Sequence, residues 1–474
     1  MLFPTLDYIF FLPLVIILFW MVPWKWRLSV LGLASLLFYG SWKVLYLNLL
    51  IGVCIAAWVL SFWVYQKSTP RWKMVFSIFV LFIPLLIFKY SKWIIWNINE
   101  LANLLGYPLN IPSTNLALPV GISFFTFQAV AYLVDSHRES KPTRNPWEFF
   151  TFLAFFPQLV AGPIVRRKEL LPQLQNLQFL KKDNVSEGIF RILKGMAKKL
   201  LIADVLANAI VDIVFQDITS SEFAIRPSIE LWIALYAYTI QIYYDFSAYT
   251  DIAIGSALLF GIRLPENFNR PYKATCVAGF WRRWHITLSN WVRDYIYYPL
   301  GGSRADRDWK VYRNIIITMI VIGMWHGASW NFVIYGILHG SAVSINRYRR
   351  KRTGRKPSDP VGSVFGWLWR FFLTFHFVAL ARILFRTEDL NEAWIFFTHL
   401  WDFQLTIPRF QPLYLGIFVV GLLVHFTPDK WHNQIKSLFE KAHPAAQAIA
   451  ALGVATLCWE LSSNGPEYFI YYNF

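Results

Sequence analysis

The sequence predicts an all-α polytopic membrane protein, and three observations carry that prediction: its apolar share, its aromatic load and the basic clusters recurring between apolar runs. Hydrophobic residues make up 56% of the 474 residues and charged residues only 15%, with a mean hydropathy of +0.40. That leaves too few charges to coat the two or three soluble domains such a length would otherwise suggest. The 42 Phe, 23 Trp and 23 Tyr suit a protein with rings placed at membrane interfaces. Disorder, which needs low hydrophobicity, is excluded. So is a disulfide scaffold, because Cys54, Cys276 and Cys458 are scattered in apolar stretches without ligand-like spacing. The net charge of +17 lies between apolar segments, where cytoplasmic loops and anionic lipid heads explain it better than nucleic acid does.

A bilayer crossing needs about 20 mostly apolar residues. Tyr8–Val22 with its flanks supplies the first, expected to be a retained anchor with the N-terminus outside, since Lys25 and Arg27 follow it. Leu28–Gly40, Val44–Tyr65, Met74–Phe88 and Leu116–Val134 come next. On this count Lys67, Arg71 and Lys73, then His137, Arg138, Lys141 and Arg144, return to the cytoplasm. Phe149–Val165 is apolar but carries Pro157, Gly162 and Pro163, and reads as a re-entrant element. In Asn184–Phe215, Lys194, Lys198 and Lys199 alternate with Ile189, Leu193, Met196 and Leu200, which predicts an amphipathic helix on the cytoplasmic face, with Asn184 as N-cap and Glu187 at N3. Later spans run near Ile229–Ile262, Ile315–Gly327, Asn331–Ile345, Val364–Leu384, Leu413–Phe426 and Ala445–Leu461, with Arg347–Lys356 as a polybasic inner loop. The expectation is about ten to twelve membrane-embedded helices, re-entrant elements included. They form one membrane domain: N-terminal spans over 1–115, a core over 116–345 and C-terminal spans over 346–474.

Within such a chain the informative residues are those that are costly to bury, about 2.5–3.5 kcal/mol for an ionisable group at mid-bilayer on insertion scales. In Gln241–Ser256, Gln241, Asp245 and Tyr249 share one helix face, and Ser247 and Asp251 form a second pair. The two carboxylates need donors, for which Arg263, Arg270, Arg282 and Arg283 are candidates; a purely structural role, pinning helices together, is the plainer reading. Phe280–Gly302 is too polar to span and too aromatic for a solvated loop. Its arginines, Arg282 and Arg283 among them, can hold a phosphate or carboxylate, or simply reach lipid heads. In Ile315–His339, His326 lies in an apolar segment between Gly323 and Gly327, glycines that would leave the backbone bare for a close substrate approach.

No GxxxxGK phosphate loop, HExxH or GxSxG motif is present, nor any dense His/Cys cluster, so a nucleotide-driven pump, a zinc site and a serine-hydrolase elbow are disfavoured. The histidines in membrane segments remain as candidates for proton transfer from a hydroxyl.

Six stretches carry a resemblance: LPVGISFFTFQAVAYLVD (118–135), FFPQLVAGPIVRRKEL (155–170), YYDFSAYTDIAIGSALLFGI (243–262), ENFNRPY (266–272), FWRRWHITLSNWVRDYIYYPLGGSR (280–304) and MWHGASWNFVIYGILHG (324–340). In this order the sequence resembles the membrane-bound O-acyltransferase family, in its bacterial polysaccharide branch typified by alginate O-acetyltransferase. The resemblance implies a helical core pierced by a funnel or tunnel, with His326 at the essential histidine and His285 at the second motif histidine. It implies transfer of an acyl group, acetyl foremost, from a cytoplasmic thioester (acetyl-CoA or an acyl carrier protein) to hydroxyls of an extracytoplasmic polysaccharide, directly or through an esterase-like partner. The expected location is the cytoplasmic (inner) membrane. Arg282, Arg283, Trp325, Asp245 and Tyr249 are the candidate substrate contacts; no bound cofactor, metal or nucleic acid is expected. Other acceptors in the same class are peptidoglycan and, with D-alanine as the acyl group, teichoic acid. A transporter is the non-enzyme rival, weakened by the absence of an inverted repeat.

Overall fold

A computed structural model describes residues 3, 5–66, 68–114, 116–138, 141–177, 181–216, 218–354, 363–403 and 407–462. Lys67, Lys356 and the side chain of Cys458 lie outside this description. Among the described residues the chain is helical with no strand. It divides into two compact units that do not follow chain order: one from Met1–Met196, Tyr249–Pro265 and Lys436–Asn473, the other from Ala197–Ala248 and Glu266–Ile435.

In the first unit, Ile122–Arg138 is the central helix, buried from Ile122 through Ser136. Pro146–Ala154 starts where its residues dictate: Pro146 sits in the first turn, and the Asn145 side chain accepts from the backbone N–H groups of Trp147 and Glu148. The helix stops at Phe155, and a single turn, Phe156–Leu159, follows. The apolar stretch expected to be re-entrant is therefore broken. A Cβ on Gly162 would lie 2.4 Å from the Cα of Gln158, so this turn closes only around glycine.

Several boundaries differ from the sequence reading. Trp24–Gly40 begins four residues earlier than expected, directly after Pro23, which takes Lys25 and Arg27 into its first turn. Arg27 stacks 4.3 Å from the Trp20 ring and donates to the Leu177 carbonyl at 2.9 Å. Arg71–Leu85 continues through a π-helical turn, Leu86–Tyr90, into Ser91–Leu104. The amphipathic helix is Lys182–Lys198, so Asn184 is in its first turn and not its N-cap. Asn184 instead accepts from Arg263 at 2.7 Å, and Glu187 pairs with Lys436 at 2.9 Å. A long-range hydrogen bond in the case of Asn184, and a long-range ion pair in that of Glu187, has taken each residue away from the local cap. Arg347–Arg352 belongs to the last turns of Trp330–Thr353, which ends at the left-handed Gly354. Basic side chains there complement the helix C-terminus, so the polybasic run is helix and not loop up to that point.

By length and composition, three described helices can cross a bilayer: Val44–Val64, Arg71–Leu104 and Val364–Arg386. Pro412–Phe426 joins them if it is taken with Asp429–Lys441, from which it is bent by 94°. Leu6–Met21 and Pro444–Ser462 are apolar but offer shorter qualifying stretches.

The second unit contains the helical hairpin that positions the candidate histidine. Asp308–His326 and Trp330–Thr353 pack along each other with only Gly327, Ala328 and Ser329 between them. The glycines decide how close they come. A Cβ on Gly323 would stand 2.1 Å from the Phe332 carbonyl oxygen, and one on Gly336 would stand 2.6 Å from the Met319 carbonyl oxygen. Small residues at helix interfaces let backbones approach, which is where membrane helix pairs gain their packing.

Candidate active site

His326 ends the helix Asp308–His326 and is 1% exposed. The following Gly327 is extended, so the chain turns away and leaves the imidazole at the closed end of the hairpin. Its ring meets Phe385 (4.8 Å between centroids), Trp325 (5.0 Å) and Tyr335 (6.3 Å). The expectation that Gly323 and Gly327 leave bare backbone beside this ring for a substrate is overturned. The space at both is filled by Phe332, whose ring would lie 2.0 Å from a Cβ on Gly327. These glycines serve helix packing.

His285 is fully buried and takes a left-handed backbone conformation, φ 42°, where it enters the helix Ile286–Val292. Its Nδ1 lies 3.1 Å from Asn267 Oδ1, which also accepts from the Thr287 N–H at 3.2 Å and the Thr287 hydroxyl at 2.8 Å. An amide oxygen committed to those donors requires Nδ1 to carry a proton, so in the neutral ring Nε2 holds the lone pair. Trp325 joins the two histidines: its ring is 5.3 Å from His285 and 5.0 Å from His326. Phe246 closes the other side of His285 at 4.8 Å. His285, Trp325 and His326, proposed separately from sequence, thus form one cluster in the second unit.

The remaining sequence candidates lie elsewhere. Asp245, on the long helix Ser228–Leu259, is ion-paired at 2.9 Å with Lys199, which is 2% exposed and also holds Asp204 at 2.7 Å. Asp251 pairs with Lys194 at 3.0 Å and Arg191 at 3.4 Å within the first unit. These carboxylates therefore draw cations from the amphipathic segment. The expected arginines are engaged otherwise: Arg263 with Glu187, Arg270 with Asp429, and Arg283 with the Asn269 carbonyl. Arg282 is exposed. Tyr249 is buried in the first unit, its ring 5.6 Å from Phe3.

Sequence reasoning passed over Arg382, Tyr335 and Asn267. Arg382 is 0% exposed, its guanidinium carbon 4.4 Å from the Trp284 ring and 5.1 Å from Phe385. A lone arginine in the apolar run VALARILF was the available signal, by the same argument that singled out His326. His339, with no evident shared face in the sequence, packs 4.3 Å from Tyr335, the ring that also meets His326.

A fully buried histidine pair, one with its tautomer set by an amide, wrapped in tryptophan and phenylalanine inside a membrane-type helical chain, has the chemistry to accept or donate a proton out of contact with bulk water. The model of the membrane-bound O-acyltransferase family matches residues 35–385. The chain belongs to that family: it is an integral membrane acyltransferase. It is 38% identical to a peptidoglycan O-acetyltransferase of Helicobacter pylori, over 77% of this chain and 71% of that one. It is 34% identical to a probable alginate O-acetylase of Pseudomonas aeruginosa, over 94% of this chain and 85% of that one. A teichoic acid D-alanyltransferase of Streptococcus thermophilus is 26% identical over 76% of this chain and 83% of that one.

Proposed function

We propose that this acyltransferase moves an acetyl group from a cytoplasmic thioester, acetyl-CoA or an acyl carrier protein, to hydroxyls of an extracytoplasmic polysaccharide, with His326 as general base. The burial of His326 at 1% exposed, in direct ring contact with Trp325 and through it with His285, is the observation that carries the reading. An imidazole removed from bulk water has no competing proton source, and donor and acceptor then meet it along a passage through the protein interior. That passage resolves a physical conflict: the donor is charged and cannot cross hydrocarbon, while the glycan is on the far side. His326 takes the proton of the acceptor hydroxyl as its oxygen attacks the acyl carbon, and returns it to the departing sulfur. General-base catalysis of this kind is typically worth about 10²–10⁴-fold.

In this proposal His285, with its Nε2 unprotonated, orients or relays for His326 by way of Trp325, which both rings contact. Arg282 and Arg283 meet the donor's phosphates at the cytoplasmic mouth. The membrane is the cytoplasmic one, and an esterase-like partner completes transfer to the glycan where the acceptor is not reached directly. An alginate-like exopolysaccharide is the first acceptor to try, on the near full-length similarity to the alginate relative. Peptidoglycan is the second, on the 38% identity to the peptidoglycan relative.

Membranes containing the wild type or His326→Gln, supplied with radiolabelled acetyl-CoA and either a uronate polymer or peptidoglycan fragments, test it. Transfer to one glycan and a loss of about 10²–10⁴-fold in the variant are expected. Near-normal transfer by a well-expressed His326→Gln protein rules the base assignment out.

A further inference from the structure

Around Arg382 the second unit collects hydrogen-bond donors in excess of acceptors. Tyr238, Tyr335, His339 and Trp284 are each 0% exposed. The Tyr238 and Tyr335 hydroxyls, the Trp284 Nε1 and the His339 Nε2 have no hydrogen-bond partner among the described residues. The sense of the His339 nitrogen is set by its neighbour. Trp281 Nε1, a donor only, lies 3.1 Å from His339 Nδ1, so Nδ1 accepts and the ring's proton sits on Nε2. A guanidinium stacks on Trp284 at 4.4 Å and lies 5.1 Å from the Phe385 ring, which Tyr335 meets at 5.6 Å; His339 packs 4.3 Å from Tyr335, and the guanidinium's charge acts on Tyr238, Tyr335 and His339. Tyr272, also adjacent, donates to the Thr239 carbonyl, and its phenol oxygen accepts from Arg382. A buried donor without an acceptor is destabilising, so four together mark a place built to receive an acceptor. It adjoins the candidate base. Phe385 packs against both, 5.1 Å from the guanidinium and 4.8 Å from His326, and Tyr335 touches the His326 ring.

We propose that Arg382, with Tyr335, Trp284 and His339, receives the carbonyl oxygen of the thioester as it becomes an oxyanion beside His326. This rests on the acyl-transfer reading above. A permanently ionised carboxylate or phosphate would lose its hydration on entering so buried a site, a large desolvation penalty. A carbonyl oxygen enters neutral and acquires its charge only there, where preorganised donors act most strongly. In the step, the acceptor oxygen bonds to the acyl carbon and its proton passes to His326, while the carbonyl π pair moves onto the oxygen facing Arg382. On collapse that pair re-forms the C=O bond, the C–S bond breaks, and sulfur leaves with its electron pair and takes the proton from His326.

The test is steady-state transfer from acetyl-CoA to whichever glycan turns over in the wild type, using full-length Arg382→Met, Arg382→Lys and Tyr335→Phe. An interaction made in the transition state predicts that Arg382→Met lowers kcat by about 10²–10³-fold at unchanged KM. Arg382→Lys should recover part of that loss, and Tyr335→Phe, which keeps the ring, should lower kcat by about 10-fold. A raised KM with kcat intact would show a ground-state anion contact and overturn the proposal, as would wild-type kcat in a folded Arg382→Met. If that variant does not fold, wild-type kcat in Tyr335→Phe overturns it. His326→Gln separates the two claims: its inactivity beside fully active Arg382 and Tyr335 variants removes the oxyanion site and leaves the base, whereas its activity removes the base.

Discussion

The ionic network of the first unit and the cluster around His326 in the second satisfy their polar side chains in opposite ways. In the first, Glu187 is met by Lys436, Arg191 and Arg263, and Asp251 by Lys194 and Arg191, a network in which each carboxylate has more than one cation. In the second, the groups around His326 are imidazoles, indoles, phenols and one guanidinium, packed ring to ring. A closed ionic network leaves nothing for a substrate to complete and tells of architecture. A cluster whose donors outnumber its acceptors is completed by something else. Charge in an apolar chain is thus a poor guide to chemistry until its partners are known.

That contrast can be broken by substitution. The largest effect should come from Lys199→Met, which strands Asp245 and Asp204 in the second unit's own closed ionic set. Breaking a buried pair on one side costs about 3–5 kcal/mol, read as a fall in melting temperature, and the added Asp245→Asn should recover part of it. A stable single variant with lost transfer would move Asp245 from architecture to the site. Next, Gly323→Ala puts a methyl against the Phe332 carbonyl, 2.1 Å away, and should cost about 1–3 kcal/mol through forced separation of the hairpin. Equal stability of that variant would deny the close helix contact. His285→Gln should lower kcat by about 10-fold or more with little change in melting; unchanged turnover would make His285 a packing residue.

The smallest effect concerns pH. Burial pulls the Glu187 carboxyl upward, but hydrogen bonding to Lys436 and the charges of Lys436, Arg191 and Arg263 outweigh it and hold the group below its usual range. A depressed carboxyl contributes stability above its unfolded pKa and loses it as pH falls through the folded value. Wild type should therefore lose a little more stability than Glu187→Gln on acidification below about pH 4.5, by roughly 0.5 kcal/mol for a partly solvated pair. Parallel melting curves for the two proteins across that range would contradict this.

Helices and their order were legible because burying apolar area imposes a period on the chain; Val44–Val64 and Pro412–Phe426 fall within a residue of the expected bounds. Boundaries slipped where a distant partner competed with a local signal. Asn184 looks like a cap, yet Arg263, remote in sequence, claims its side chain. His326 was visible as an ionisable group in an apolar segment, whereas His285 and Trp325 came in through the motifs that carry the family resemblance. Arg382 carried the same signal and went unread because no motif surrounded it.

What the amino-acid order determined unaided is the class of molecule and its helical composition, since hydropathy, positive-loop bias and side-chain chemistry are local properties. Only the folded chain decided that Phe332 fills the space beside Gly323 and Gly327, that Lys199 answers Asp245, and that a guanidinium stands one aromatic ring away from His326, with unmatched donors on Trp284 and Tyr335 near it. Those facts depend on which surfaces meet across long stretches of sequence, and van der Waals contact and hydrogen bonding act over a few ångströms of space whatever the separation along the chain.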